Sequence, residues 1–509
     1  MIGVAITVYR RALRRVAYIV IVLGVPMDGS KNFLLGLGVL AGMSRLALGL
    51  ALGIIPSCAS TALDDGAGVT EDTAELDSAA ADDDDASDAV CTKGRFRCFA
   101  RAKVGGETGR FKALAVPQGY GPSDLQSAYK INPNATATAK PTVAIVGAYG
   151  YPALESDLAV YRSTFGLPAC TVASGCLKIV NQNGAASPLP SPPPPDDDWT
   201  VEAALDVDMV SAACPKCNIL VVQADDNRGT GLFLAQAAAA RLGATVISNS
   251  WGGPEPKGAT PEETAQIAEE MAQIDEVFNQ PGVAVFVAAG DDGFNDGGDG
   301  PDFPGTSSHV ISVGGTRLLR DASTRGWSET AWSSGGSACS LFIAKPAYQT
   351  LSPCALKATA DIAAVGDPAT GLAVYNAGAK GWLTVGGTSA ASPFVAGIYA
   401  ATGNGAQTSG SFLAANTTKL FDVTSGNNGN CGTSTLLCNA KAGWDGPTGY
   451  GTPNAQALGG SAIPSSSGSD AGSAASGSND LVGGCSAGGG AGSGMLLLVG
   501  LLGLRRRNR

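Results

Sequence analysis

From about residue 119 to residue 459, short apolar runs rich in Val and Ile alternate with Ala-rich stretches of helical spacing. The near-continuous apolar runs predict strands at Val143–Tyr149, Asn218–Ala224, Thr245–Trp251, Val283–Ala289, Val310–Gly314 and Leu383–Gly386. Between them, Gly231–Arg241 and Pro261–Phe278 carry helical patterns. Strands apolar on both sides, interleaved with helices, predict an α/β fold with a mostly parallel sheet covered on both faces. In such sheets a functional site lies at the carboxyl ends of the strands. The stretch Leu189–Asp198 (LPSPPPPDDD) reads as a surface loop, because proline neither continues a helix nor donates within a sheet. No internal repeat is found.

The two ends break this pattern. Residues 33–56 are apolar and small, broken by Arg45, and lead to Ile55-Pro56-Ser57-Cys58. Read from Met43, they resemble a bacterial lipoprotein signal with Cys58 as the lipidated residue, so residues 1–58 are expected to direct export. At the other end, Ser/Gly/Ala-rich residues 460–484 read as a flexible linker. Residues 485–509 follow, with Cys485, a short apolar run around Met495–Leu504 and an arginine cluster. The run is short for a membrane span, and the arrangement resembles a sorting tail of the MYXO-CTERM type. Membrane contact is expected only through these two signals, and the location is expected to be extracellular or the outer cell surface.

The formal charge of −11 is unevenly placed. Residues 59–90 hold eleven Asp or Glu and no Lys or Arg, and are expected to be a disordered acidic linker. Residues 91–459 carry 23 basic and 30 acidic residues, a mild balance that argues against nucleic acid as a partner. Setting aside Cys58 and Cys485, the cysteines fall into close neighbours: Cys91/Cys98, Cys170/Cys176, Cys214/Cys217, Cys339/Cys354 and Cys431/Cys438. Five local disulfides, in an oxidising compartment, are the simplest pairing. A redox or zinc role for Cys214-Pro-Lys-Cys217 lacks a second CxxC, and the single histidine, His309, is far away in sequence.

Chemistry concentrates at three places. Gly386-Gly387-Thr388-Ser389-Ala390-Ala391-Ser392-Pro393 follows a predicted strand and opens the apolar stretch Phe394–Ala401. A serine in the first turn of a helix sits beside unpaired N–H groups that can stabilise an oxyanion, although Gly-Thr-Ser is also a common helix cap. With His309 outside any His-Gly-Thr setting, a Ser-His-Asp mechanism is close to excluded by counting. In Trp199-Thr200-Val201-Glu202-Ala203-Ala204-Leu205-Asp206 two acids four apart share one face of a helix. Their mutual repulsion would raise both pKa values and let one hold a proton, as a carboxylate base with a supporting acid requires. Asp208 is expected to be a nearby polar residue without a direct role. The third place is Ala288-Ala289-Gly290-Asp291-Asp292-Gly293, at the end of a predicted strand. There a protonated Asp291 could donate to a developing oxyanion, while the bland reading is an Asp-Gly turn.

Taken together, residues 119–459 resemble the sedolisins, the serine-carboxyl peptidases, whose fold is subtilisin-like. The resemblance rests on Gly-Thr-Ser-x-x-x-Pro at 387–393, Val246–Gly252, Gly290–Gly293, Pro301–Pro304 and Val313–Thr316, in that family's order along with the 202/206 pair. It implies Ser389 as nucleophile, Glu202 as general base, Asp206 as its partner and Asp291 as oxyanion donor. It also implies an endopeptidase acting on polypeptides at acidic pH, and a monomer is expected. The family's structural calcium implies an all-oxygen cage from the side chains of Asp422 and Asp445 and the main-chain oxygens of Val423, Lys441 and Gly443. Glycine is usual where Lys441 stands, and the Cys431–Cys438 insertion lies between the two halves. The family's zymogens carry a large prodomain, whereas residues 91–118 offer only a short pro-segment. Two other functions compete: an inactive binding or adhesion protein on the same fold, and a conventional subtilase using His309.

Overall fold

The computed structural model describes residues 86–105, 110–133, 140–195 and 197–459. The expected export segment 1–58 with Cys58, the linker 460–484 and the 485–509 tail with Cys485 lie outside them. So does most of the acidic stretch 59–90.

Among the described residues an eight-stranded sheet forms the centre. Its strands run in the order Trp327–Ala331, Ile311–Arg320, Ala284–Ala288, Val246–Asn249, Thr142–Ala148, Asn218–Ala224 and Leu177–Asn181, and Ile362–Val365 also pairs with Ile311–Arg320. All pairings are parallel except that of Trp327–Ala331 with Ile311–Arg320. Parallel strands need crossovers, and the helices Trp199–Ala213, Thr230–Arg241 and Pro261–Asp275 supply three of them. Burial on both faces explains why these strands read as unbroken apolar runs: Ala284–Ala288 is buried throughout.

Two helices pack against each other and against the sheet. The first, Trp199–Ala213, is buried at every position except Thr200 and Ala203, and it stops where Pro215 prevents continuation. The second, Thr388–Thr402, is buried from Thr388 to Ala400. They meet closely at Gly397, where a Cβ would stand 2.7 Å from the Cβ of Ala213. Glycine there sets the spacing between the helix that carries Ser389 and the helix that carries Glu202 and Asp206.

Several expectations need correction. The run Thr245–Trp251 is not one strand. Val246–Asn249 belongs to the central sheet, and Trp251–Pro254 pairs antiparallel with Asp302–Phe303 and Arg97–Cys98. The break falls at Ser250, whose polar groups turn into the site described below. Val310–Gly314 runs on to Arg320 because an antiparallel partner continues it. Leu177–Asn181 and the helix Leu154–Thr164 were not foreseen, since Lys178 and Asn181 interrupt the apolar run of an edge strand. Ser87–Ala89, inside the stretch expected to be disordered, forms a strand paired with Arg101–Gly105, which in turn pairs with Gly381–Gly386. The five cysteine pairs are bonded as their spacing suggests. No helix among the described residues is long and apolar enough to cross a membrane.

The close Gly397–Ala213 contact yields a test. Gly397→Val would overpack it, at a cost of about 1–3 kcal/mol in stability, and would move Glu202 away from Ser389. Thermal unfolding should show a lower midpoint.

Candidate active site

The site assembles where strand ends meet the start of the Thr388–Thr402 helix. Gly387, with φ of 101°, turns the chain into that helix, and a Cβ there would lie 2.7 Å from Asp291 Oδ2. Only glycine suits both the conformation and the space. Ser389 Oγ donates to Glu202 Oε2 at 3.0 Å and also lies 3.1 Å from the Ser250 carbonyl. Pro393 has no N–H, so the helix leaves the Ser389 carbonyl without its i+4 partner. The hydroxyl of Ser250, which donates to Asp206 Oδ1 at 2.7 Å, lies 3.3 Å from that carbonyl. Ser250 therefore ties the helix that carries Ser389 to the carboxylate pair. Sequence reasoning did not single it out, although it sits in the recognised 246–252 block.

Asp291 is held from the same helix start. Its Oδ1 accepts from Thr388 N–H and from Thr388 Oγ1, each at 2.8 Å. Its Oδ2 is buried with no hydrogen-bond partner, as is Oε1 of Glu202. An unpaired buried carboxyl oxygen beside the Ser389 amide is placed to donate if it carries a proton.

The electrostatics favour such protons. Burial is the largest cause pushing Glu202 well above the usual carboxylate range, with the neighbouring charge of Asp206 second. Burial also raises Asp206, to about 8, against the lowering effect of hydrogen bonds from Ser250 and with Glu202. Asp291 is raised to about 7 by burial, more than the two Thr388 hydrogen bonds lower it. Mutual repulsion was expected to dominate, but desolvation comes first, because the helix bearing the pair is enclosed on nearly all sides. Two buried acids four residues apart retain a shared proton more readily than they carry two charges.

Other acids and the histidine fall elsewhere. Asp208 accepts from the Tyr375 amide at 3.4 Å and faces Arg162, away from Ser389. His309 Nε2 lies 3.7 Å from Asp275 and 3.6 Å from Glu276, before the first residue of the strand Ile311–Arg320 and thus at the opposite end of the sheet from Ser389. The arrangement offers a hydroxyl nucleophile, a carboxylate to take its proton and two candidate oxyanion donors, the Ser389 N–H and Asp291 Oδ2.

Comparison with known proteins adds the family. Residues 195–451 match the subtilase family, about half of the chain, from just before Glu202 to beyond Asp445. The chain belongs to the subtilase family. Within it, this subtilase is similar to kumamolisin from Bacillus sp. (strain MN-32), at 31% identity over 373 residues, and to sedolisin from Pseudomonas sp. (strain 101), at 29% over 381 residues. These alignments take in 68% and 67% of this chain, and 64% and 61% of the respective relatives, so the chain spans less than two thirds of either. A solved structure of Pseudomonas sedolisin, a serine-carboxyl proteinase complexed with two molecules of pseudo-iodotyrostatin, aligns with a TM-score of 0.55 at 25% identity. That match covers 68% of this subtilase and 98% of the other chain, and the subtilisin-like fold with its mostly parallel sheet follows from it.

Of the residues expected to hold calcium, Asp422 meets Gly443 and Asp445 meets Lys441. Asp422 Oδ2 accepts from the Gly443 amide at 2.9 Å, and Asp445 Oδ2 from the Lys441 amide at 2.9 Å. Asp445 is fully buried and raised to about 7, chiefly by burial and also by the charge of Asp422. Among the described residues no Lys or Arg forms an ion pair with either acid; the Lys441 ammonium turns instead to Thr435 Oγ1 at 3.2 Å. Two carboxylates near enough for one charge to raise the other, without an ion-paired cation of the chain, suit a hard cation.

The raised pKa values have a definite consequence for stability. Glu202, Asp206 and Asp291 bind protons more tightly in the folded than in the unfolded chain, whose Asp value is about 4. The stability this contributes is fully present below about pH 4 and is lost as pH rises through about 7 for Asp291 and about 8 for Asp206. In a Ser389→Ala background the unfolding midpoint should fall between pH 5 and pH 8. Asp291→Asn, which cannot ionise, should make that fall shallower.

Proposed function

We propose that this protein is an exported serine-carboxyl endopeptidase that hydrolyses polypeptides at acidic pH. The observation that carries the reading is the 3.0 Å hydrogen bond from Ser389 Oγ to a buried glutamate, in a chain whose single histidine lies elsewhere. Ser389 attacks the substrate carbonyl while Glu202 takes its proton, and Asp206 shares the proton left on the buried pair. The oxyanion receives hydrogen bonds from the Ser389 amide and from protonated Asp291. Glu202 then protonates the leaving amine, and water releases the acyl group from Ser389 by the reverse sequence. Similarity to sedolisin and kumamolisin supports the reading, as does the disulfide content for an oxidising compartment. Lipidation at Cys58 and sorting through the 485–509 tail complete the proposal for its location.

A calcium ion would be held by the carboxylates of Asp422 and Asp445 and the main-chain oxygens of Val423, Lys441 and Gly443. It would neutralise the two acids and brace the loop that follows Phe421.

Cleavage of a denatured protein across the pH range tests the mechanism. Activity should be highest at acidic pH and fall as pH rises through about 7, because Asp291 then loses the proton it donates. Ser389→Ala and Glu202→Gln should each lose roughly 10⁴-fold or more in kcat. Asp291→Asn should lose about 10²-fold and also the decline at high pH, since an amide still donates. A wild-type rate that climbs up to pH 8, or activity abolished by His309→Ala, overturns the assignment. For the metal, millimolar calcium after chelation should raise the unfolding midpoint by several degrees in the wild type and not in Asp445→Asn. An unchanged midpoint would remove calcium from the proposal.

A further inference from the structure

The cleft over Ser389 is not bare: the chain's own residues 87–105 run through it. Arg97–Cys98 pairs antiparallel with Trp251–Pro254, placing Arg97 opposite Gly252 and Cys98 opposite Trp251. The next residue, Phe99, donates its N–H to the Ser250 carbonyl at 3.2 Å and accepts the Ser389 N–H on its carbonyl at 3.1 Å. That carbonyl therefore occupies the position from which the Ser389 amide would stabilise an oxyanion, against the same face of Gly387 as the unpaired Asp291 Oδ2. Beyond the bond, Arg101–Gly105 continues antiparallel to Gly381–Gly386, with Ala102 opposite Val385. A peptide laid as an added strand, its carbonyl on the oxyanion donor beside a hydroxyl nucleophile, has the arrangement of a bound substrate.

The side chains are fitted as well as the backbone. The buried Phe99 ring packs against Gly252, where a Cβ would come within 2.7 Å of ring carbon Cε2. Arg97 reaches Asp292 at 3.0 Å and Asp296 at 2.9 Å. The loop is closed by the Cys91–Cys98 disulfide and by pairing of Ser87–Ala89 with Arg101–Gly105. The Val90 amide reaches across the loop to the Ala100 carbonyl at 2.9 Å. Enclosed, cross-linked segments hold one conformation at low entropic cost.

We propose that residues 87–105 are a built-in reactive loop that blocks the cleft while intact and is cut by Ser389 at the Phe99–Ala100 bond. This rests on the peptidase reading above and adds the processing site. It also assigns Gly252 as the residue that admits an aromatic side chain on the acyl side of the cut, and Asp292 with Asp296 as the pair that receives an arginine two residues earlier. In the step, Ser389 Oγ bonds to the Phe99 carbonyl carbon and the Phe99–Ala100 C–N bond breaks. The hydroxyl proton passes through Glu202 to the Ala100 nitrogen. Water then hydrolyses the ester, leaving a carboxylate on Phe99 and returning a proton to Ser389 Oγ.

The experiment follows the full-length chain after a shift from pH 8 to pH 4.5, reading N-terminal sequence and hydrolysis of a denatured protein together. Activity is expected to appear in step with a new N-terminus at Ala100, with no cut in Ser389→Ala. Phe99→Asp should slow the cut at least tenfold, whereas Phe99→Leu, which keeps an apolar side chain in the pocket, should slow it less than threefold. Full activity with the Phe99–Ala100 bond intact would overturn the proposal, as would a first cut elsewhere at a rate indifferent to Phe99→Asp. Either of those results leaves the peptidase reading standing. A folded sample that cuts neither its loop nor the denatured protein at any pH overturns both.

Discussion

Everything at the site depends on two buried helices held at glycine-limited distance. Trp199–Ala213 and Thr388–Thr402 both lie inside the molecule, so the side chains they exchange meet without water between them. Desolvation is costly for a carboxylate, by several kcal/mol per ion even after relaxation. Glu202 and Asp206 answer that cost by keeping a proton rather than by finding a cation, and the apolar residues around them leave little alternative. The same exclusion of water that raises their pKa values makes the hydrogen bond to Ser389 electrostatically strong. A solvated pair of the same spacing would ionise almost fully by about pH 6 and have no reason to sit against a serine.

The Gly-Thr-Ser-x-x-x-Pro motif becomes intelligible as a set of linked substitutions for missing hydrogen bonds. Gly387 allows the left-handed turn and the close approach of Asp291. Thr388 uses both its amide and its hydroxyl on Asp291, fixing one carboxyl oxygen and leaving the other free. Pro393 withdraws one N–H, which exposes the Ser389 carbonyl to Ser250, and Ser250 in turn anchors Asp206. Each residue type is required by its neighbour's unsatisfied group, so the motif acts as a unit whose members are not separately replaceable.

Much of this was legible in the sequence, for reasons that differ by element. The central strands could be read because parallel strands buried on both sides must be apolar throughout, and Asn218–Ala224 was located to the residue. Glu202, Asp206, Asp291 and Ser389 could be picked out because each carries unusual chemistry at a strand end or on an apolar helix. The break at Ser250 was hidden, since a residue that leaves the sheet to bond across the site has the same local composition as one that stays. The dominance of burial over repulsion was hidden too. Spacing of two acids reports that they share a face, but not how much water that face sees. Ser87–Ala89 escaped notice for a compositional reason: its residues continue an acidic stretch, and its pairing comes from Arg101–Gly105 rather than from any apolar pattern of its own.

The loop across the cleft shows how little separates a substrate from an inhibitor in a site of this kind. A good substrate and a tight-binding product segment make the same backbone contacts, and only interactions stronger in the transition state accelerate the cut. Both halves of the Phe99–Ala100 bond are held independently of the bond itself. Arg97–Cys98 is fixed to Trp251–Pro254 and by the disulfide, and Ala100 leads directly into strand pairing with both Ser87–Ala89 and Gly381–Gly386. After cleavage the amine of Ala100 would remain beside the acyl carbon until those pairings open. Clearing the cleft is therefore governed by sheet hydrogen bonds and the Arg97 ion pairs, not by the peptide bond. Asp296 is raised to about 6 by burial despite the opposing charge of Arg97, so its hold on that guanidinium loosens in the acid range in which Asp291 becomes a donor. On the proposed mechanism, catalysis and release of the loop would respond to pH in the same direction, through two different carboxylates on the same strand-end turn.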